Sequence, residues 1–378
     1  MAFSFSMELN TVEIAITAIG TSNPVYKRSQ QDVAELISTT LNLSPAKKRL
    51  LKAVYKATGI ETRYSVLGDY CKAPGEFDFF PNDPKMSFPT TAKRMEVYKD
   101  NALQLSLTAI ESCFLVTPGF KKEEITHVIT VSCTGMYAPG LDIEIVQRLN
   151  LNTNIKRTCI NFMGCYGAFN GIKMANYICK AEPNAKVLIV CVELCTIHFQ
   201  NNPDISNLIS NAIFADGAAA AIIQARSSKK KQLVLEQFNC DLLPQTSQEM
   251  TWHISDQGFD IVLSTYVPQI IKSGIAHFFD KLLTKSEYTL SKDDFYAIHP
   301  GGIKILQACE ESLNITPEDN RFSYDVLRNY GNMSSATILF VLKKIMDSLQ
   351  HSDNTKKIFS CAFGPGLTLE SMLLKVVC

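Results

Sequence analysis

Tryptophan is nearly absent from this chain, with one among 378 residues. Excess charge of either sign is absent too: 37 Lys and Arg balance 37 Asp and Glu. A neutral chain lacks the field that would make nucleic acid or an anionic membrane its main partner. The twelve cysteines form no C-x-x-C pair and follow no regular spacing, so neither a zinc or other metal site nor a redox motif is expected. A chain this long needs no disulfide staples, which points to a reducing, cytoplasmic setting. No run approaches the roughly 18 apolar residues of a spanning helix. The start, "MAFSFSMELNTVEIAI", lacks a basic segment leading into a long apolar core, so neither a signal peptide nor membrane insertion is expected.

What is present is globular: 46% hydrophobic and 20% charged residues. From about residue 120, short β-branched runs alternate with helix-like runs, the pattern of an α/β fold. "HVITVS" (127–132), "KRTCINF" (156–162), "KVLIVCVEL" (186–194) and "AAAAIIQA" (218–225) read as strands. Ala168, Ile172, Ala175 and Cys179 recur at helical spacing between the second and third of these. A first strand at 12–18 and helical stretches near 29–58 and 92–116 precede them, and 227–232 reads as a charged turn.

The second part repeats the programme. Strand and turn at 293–302, a helix at 303–313, turn and helix at 329–346, and strand–turn–strand at 356–374 follow in order. Cys133 ends one strand and Cys165 opens a helix 32 residues on; His299 and Asn332 stand in the same relation, 33 apart. An internal duplication explains this economically, with halves at 1–230 and 231–378. Two such halves facing each other across a pseudo-two-fold axis would bring equivalent turns together in the middle.

Those turns carry chemistry. Cys165 in "GCYGAFNG" stands at a helix start, where the dipole favours thiolate, although a cysteine among apolar residues is often inert filler. His299 in "AIHPGG" sits beside two glycines and could supply the imidazolium that makes a thiol nucleophilic. Asn332 in "NYGNMSSAT" could be a plain N-cap, or it could donate its amide N–H to a developing oxyanion.

Together with the tail "FGPGLTLE", these motifs resemble a type III polyketide synthase of the chalcone synthase superfamily over nearly the whole chain. The resemblance implies a thiolase-like αβαβα fold, a homodimer, and no cofactor beyond coenzyme A thioesters as substrates. It implies that Cys165 holds an acyl group from acyl-CoA, and that His299 keeps the thiol ionised. With Asn332, His299 would also polarise malonyl-CoA as it loses CO2. Phe214 in "NAIFADGAAAA" corresponds to the gatekeeper between CoA tunnel and cavity. The family's CoA-gripping helix falls on 47–56, giving Arg49, Lys52 and Lys56, with Gly301 and Gly302, as expected CoA contacts.

Several positions depart from the plant pattern. Ile261 stands for a second gatekeeping phenylalanine, Cys195 and His198 for two cavity threonines, and Ala138 for a methionine near Thr134. Trp252 falls where a plant enzyme has glycine. Replacing Met by Ala would open an apolar wall, and loss of the aromatic at 261 disfavours a coumaroyl ring. The expectation is a long-chain fatty acyl starter extended to an alkylpyrone or alkylresorcinol. The alternatives are a malonyl-CoA-only synthase of a small polyhydroxylated aromatic, and a ketoacyl-ACP synthase III, whose partner would be a carrier protein.

Overall fold

The alanine run at 218–221 shows how the layers are built. Ala218 and Ala220 enter one hydrophobic core, while Ala219 and Ala221 enter another. Successive side chains of a strand face opposite ways, and only small ones fit where helices press on both faces. The computed structural model describes residues 12–378, except for Pro84, Pro203, 227–230, Thr265, Glu287 and Thr289. Most of the charged turn expected at 227–232 thus lies outside the described residues.

The first half holds β1 (Ile14–Ser22), β2 (Tyr26–Ser29), β3 (Thr62–Ser65), β4 (His127–Ser132), β5 (Lys156–Asn161), β6 (Lys186–Leu194) and β7 (Asp216–Ala225). Its helices are α1 (Gln30–Thr40), α2 (Pro45–Ala57), α3 (Thr91–Leu115), α4 (Leu141–Arg148), α5 (Gly167–Ala181) and α6 (Ile205–Ile213). The single stretch expected at 29–58 divides into α1 and α2. Ser44 caps the second helix and Pro45 opens it, a position where proline's missing N–H costs nothing. The second half holds β8 (Gln232–Leu242), the hairpin β9 (Met250–Ser255) and β10 (Gly258–Leu263), α7 (Val267–Ser286), β11 (Phe295–Ile298), α8 (Ile303–Leu313), α9 (Arg321–Tyr330), α10 (Thr337–Ser348), β12 (Lys357–Gly364) and β13 (Thr368–Val377).

Nine strands form one sheet in the order β11-β12-β13-β8-β1-β7-β6-β4-β5. The two sides of the central β1–β8 contact mirror each other. β4 runs parallel to β6, β6 antiparallel to β7, and β7 antiparallel to β1. β11, β12, β13 and β8 repeat those relations. β5 has no strand counterpart, because the matching segment folds as α9. This is the duplication expected from the spacing of Cys133, Cys165, His299 and Asn332.

Three apolar cores fill the spaces between layers. The central one packs α5 and α10 between the two sides of the sheet. α10 begins "TILFVL" and buries all six of those residues; a helix apolar on every side belongs in the middle of a fold. α1, α3 and α4 cover one outer side and α7 and α8 the other, giving the thiolase-like αβαβα arrangement.

Candidate active site

The equivalent turns of the two halves meet in one cavity. Cys165 lies in a single 3-10 turn between β5 and α5. The turn is tight: Gly164 has φ +77°, and a Cβ there would sit 2.3 Å from Pro365 Cδ. Only glycine satisfies both conditions. His299 follows β11, its N–H donating to Cys361 O at 2.9 Å. Asn332 follows α9, and its backbone bridges to Phe214. Cys165, His299, Asn332 and Phe214 all line this cavity, whose volume is about 60 Å³.

The Asn332 amide has a defined orientation. Its Oδ1 accepts from Ser334 N at 2.8 Å and from Thr337 Oγ1 at 3.4 Å. That leaves Nδ2, which is 3.3 Å from Gly301 O and 4.0 Å from Cys165 Sγ. A donor therefore faces the thiol. Both ring nitrogens of His299 are buried without a partner among the described residues. Buried polar atoms are nearly always satisfied, so these two are unspent hydrogen-bonding capacity in the cavity wall.

Burial pushes the Cys165 thiol up to about 11, and burial holds the His299 imidazole down at about 3. Low-dielectric surroundings disfavour a lone charge on either group, while hydrogen bonds from the Ser334 and Asn332 side chains pull the thiol back down.

Glu193, unremarked in the sequence, lies fully buried at the end of β6. It accepts from Cys133 N at 2.9 Å, Thr134 Oγ1 at 2.8 Å and Ser335 Oγ at 2.5 Å. Burial lifts its carboxyl to about 7. A lone Glu in "KVLIVCVEL" was the available signal, since a carboxylate inside an apolar strand needs partners.

Thr134, Cys195 and Ile261, expected to line the cavity, do so, and Gly301, expected as a CoA contact, lines it as well. Two positions do not. Ala138 is exposed at a cis Ala138–Pro139 bond, outside the cavity wall, so its small size opens no tunnel within the chain. His198 belongs to a smaller chamber behind the first, about 30 Å³. There it accepts from Phe259 N at Nδ1 (3.0 Å), donates from Nε2 to Thr134 O (2.7 Å), and stacks on the Phe259 ring at 4.2 Å. Its hydrogen bonds are spent on the fold. Trp252 stands between the chambers and lines both, anchored by its Nε1–H to Cys133 O at 2.9 Å.

A third chamber, about 360 Å³, adjoins the catalytic cavity and shares Ile213, Leu263, Gly301 and Ile305 with it. Gly302 lies here as well. α2 presents Val54 and Ala57 to this mouth. At about 100° per residue, that turns Arg49, Lys52 and Lys56 to the outer face, where Lys52 pairs with Glu35 at 2.5 Å. The three cations, expected as CoA contacts, lie outside the lining of this chamber.

A duplicated α/β fold with Cys, His and Asn at one central cavity defines a thiolase-type condensing enzyme. The family comparison narrows this. Residues 6–227 match the N-terminal domain, and 234–378 the C-terminal domain, of chalcone and stilbene synthases; the chain belongs to that family and is a type III polyketide synthase. Pks18 of Mycobacterium tuberculosis, an alpha-pyrone synthesis polyketide synthase-like protein, is 30% identical over 97% of this chain and 92% of its own length. Probable polyketide synthase 1 of Dictyostelium discoideum is 32% identical over 96% of this chain, which spans only 11% of that protein. Among solved structures, PKS-I of the brown alga Ectocarpus siliculosus superposes with a TM-score of 0.87 at 30% identity, covering 98% of this chain and 100% of that one. The type III domain of Steely1, a type I/III hybrid from Dictyostelium, gives 0.86 at 29% identity, covering 97% and 100%.

Proposed function

We propose that the enzyme is an acyltransferase that loads an aliphatic acyl group from acyl-CoA onto Cys165, extends it with malonyl-CoA, and releases an alkylpyrone. The observation that carries this is the cavity wall: Ile213, Met250, Ile261, Leu263 and Ile305 surround the thiol, apolar surface suited to alkyl carbon. A fatty acyl starter matches the apolar part of that lining. Similarity to Pks18, named for alpha-pyrone synthesis, supports the lactone product over the alkylresorcinol.

The chemistry follows from the residues. As Cys165 Sγ attacks the acyl-CoA carbonyl, its proton passes to His299 and then to the departing CoA thiolate. Malonyl-CoA loses CO2, and the bond pair remains on the α-carbon as an enolate. Neutral His299 and Asn332 Nδ2 donate to its oxygen. The enolate attacks acyl-Cys165, which regenerates the thiolate. Further rounds lengthen the chain until an enol oxygen attacks the thioester carbonyl, closes the lactone and expels CoA.

The second reading is the malonyl-only synthase of a small aromatic. The 60 Å³ volume and the Trp252 wall favour it, because space equivalent to a few waters admits little chain. Steady-state kinetics with alkanoyl-CoAs of graded length decide the matter. A higher kcat/KM for malonyl or coumaroyl starters would overturn the aliphatic assignment.

The homodimer is proposed on the outer edge of the sheet. β5 is exposed along its length, and Met136, Met174 and Tyr177 are solvent-facing nearby apolar residues; uncovered edges and apolar patches invite a partner. Sedimentation analysis at micromolar concentration tests it, and a monomer would refute it. All twelve cysteines are free, which supports the cytoplasmic placement. Among the described residues, no helix is long and apolar enough to cross a membrane.

A further inference from the structure

Helix α6 ends at Phe214, and its last carbonyls have no partner within the helix. Other elements supply the donors. Gln30 Nε2 of α1 donates to Ala212 O at 2.7 Å, and the Tyr55 hydroxyl of α2 donates to Asn211 O at 3.2 Å. Asn332 N donates to Ile213 O. Arg63 of β3 makes two such bonds: its Nη1 donates to Phe214 O at 2.6 Å and to Asn211 O at 2.8 Å. A cation suits the negative end of a helix, and this one is 2% exposed.

The same side chain reaches the Asn332 side of the site. A Cβ on Gly331 would lie 3.2 Å from Arg63 Cδ and 3.1 Å from Ile213 O. Gly331, at φ +72°, turns the end of α9 into Asn332. Arg63 therefore lies against both sides of the Phe214–Asn332 bridge, bonded to one and packed on the other. Its Nε and Nη2 find no acceptor among the described residues. Burying a cation with donors unmatched costs stability, so stability alone does not account for the arrangement. The other reacting groups are anchored elsewhere: His299 N donates to Cys361 O, and Gly164 seats the Cys165 turn against Pro365.

We infer that Arg63 is a positioning residue for malonyl-CoA decarboxylation. Through Phe214 O and Gly331 it holds the Asn332 backbone where the amide meets the developing enolate oxygen, and acyl loading onto Cys165 does not depend on it. The inference rests on the condensing-enzyme reading of Cys165, His299 and Asn332. In the step it supports, CO2 leaves and its bond pair stays on the α-carbon. Without a starter, that enolate takes a proton from water and becomes acetyl-CoA.

Two rates measured on the same preparation test the inference. One is single-turnover acylation of Cys165 by octanoyl-CoA, read by peptide mass; the other is CO2 release from malonyl-CoA without a starter. Arg63→Met removes the donor, and Arg63→Gln is too short to reach Phe214 O. Each should slow CO2 release about ten- to a hundredfold, the cost of misplacing a reacting group by about an ångström, with acylation within about threefold of wild type. Tyr55→Phe removes a bond to Asn211 O but none to Phe214 O, and should leave both rates unchanged. Unchanged CO2 release in the Arg63 variants, equal losses in both rates, or a Tyr55→Phe variant that behaves like Arg63→Met would overturn the inference. So would failure of both Arg63 variants to fold, since Arg63 would then serve the fold alone. If the wild-type enzyme neither acylates Cys165 nor releases CO2, it is the polyketide reading that fails.

Discussion

Phe214 and Asn332 are backbone partners across the two halves of the chain. Asn332 N donates to Ile213 O, and Ala215 N donates to Asn332 O, each at 2.8 Å, so the two residues form an isolated parallel bridge. The phenylalanine at the cavity wall and the amide that faces Cys165 are therefore held in one fixed relation. Displacing either backbone moves the other, and the site belongs to neither half alone.

The tight turn before the nucleophile gives the first prediction. Gly164→Ala places a Cβ against Pro365 at a positive φ, so the turn must shift and carry Cys165 with it. Misplacement by about an ångström costs up to a hundredfold in rate. Expected is a loss of at least tenfold in kcat with circular dichroism unchanged, read by malonyl-dependent CoA release.

Trp252 gives the second. Removing its ring with Trp252→Gly joins the catalytic and rear chambers that it now separates. Longer alkanoyl-CoAs should gain kcat/KM relative to short ones, and products should gain mass. The lost packing and the Cys133 O contact should lower stability by about 3 kcal/mol, visible as a lower Tm. An unchanged chain-length preference would show that the wall does not limit substrate.

Buried histidines set the third prediction. His198 and His299 are both held near 3, from an ordinary 6.5, by burial. The unfolded chain binds their protons first as pH falls, so the stability they confer is complete above about 6.5 and drains away from there towards pH 3. Glu193, lifted to about 7 from 4.5, acts with the opposite sign: its contribution declines as pH rises from 4.5 through 7. Asp216, lifted by burial to about 6 from 3.8, has the same sign as Glu193, so the two carboxyls offset the two histidines and urea unfolding across pH 4–6 should show little net pH dependence from these groups. His198→Gln removes one proton from the unfolded side of the balance, so its stability should fall as pH rises from about 4.5 to 6. The same flat profile in His198→Gln as in wild type would contradict the assignment.

Much of this was legible from spacing. The 32- and 33-residue intervals reflect a real topological repeat, because each half needs the same strand–helix–strand lengths to cross its sheet. Cys165, His299 and Asn332 were readable because glycine and proline mark the turns that hold them. Lining residues were harder. Whether Ala138 faces the cavity or solvent depends on a loop path that no periodicity encodes. Arg49, Lys52 and Lys56 were picked out by charge, whereas the face that α2 turns to the neighbouring chamber is set by helix rotation, which charge does not encode. Glu193 went unread because one carboxylate in an apolar strand acquires meaning only with Cys133, Thr134 and Ser335 around it. The hairpin β9–β10, with its short, partly buried strands, lacks the strong apolar alternation that would have flagged it.

The central claim is that Cys165 carries the growing acyl chain. The most direct measurement incubates the enzyme with an alkanoyl-CoA, quenches it, and maps the peptides by mass, with malonyl-CoA then added to a parallel sample and its products analysed. The acyl mass should appear on the Cys165 peptide alone, malonyl-CoA should discharge it into pyrone, and Cys165→Ala should give neither adduct nor product. An acyl adduct on Cys133 or Cys195 instead, or polyketide formed by Cys165→Ala, would contradict the account.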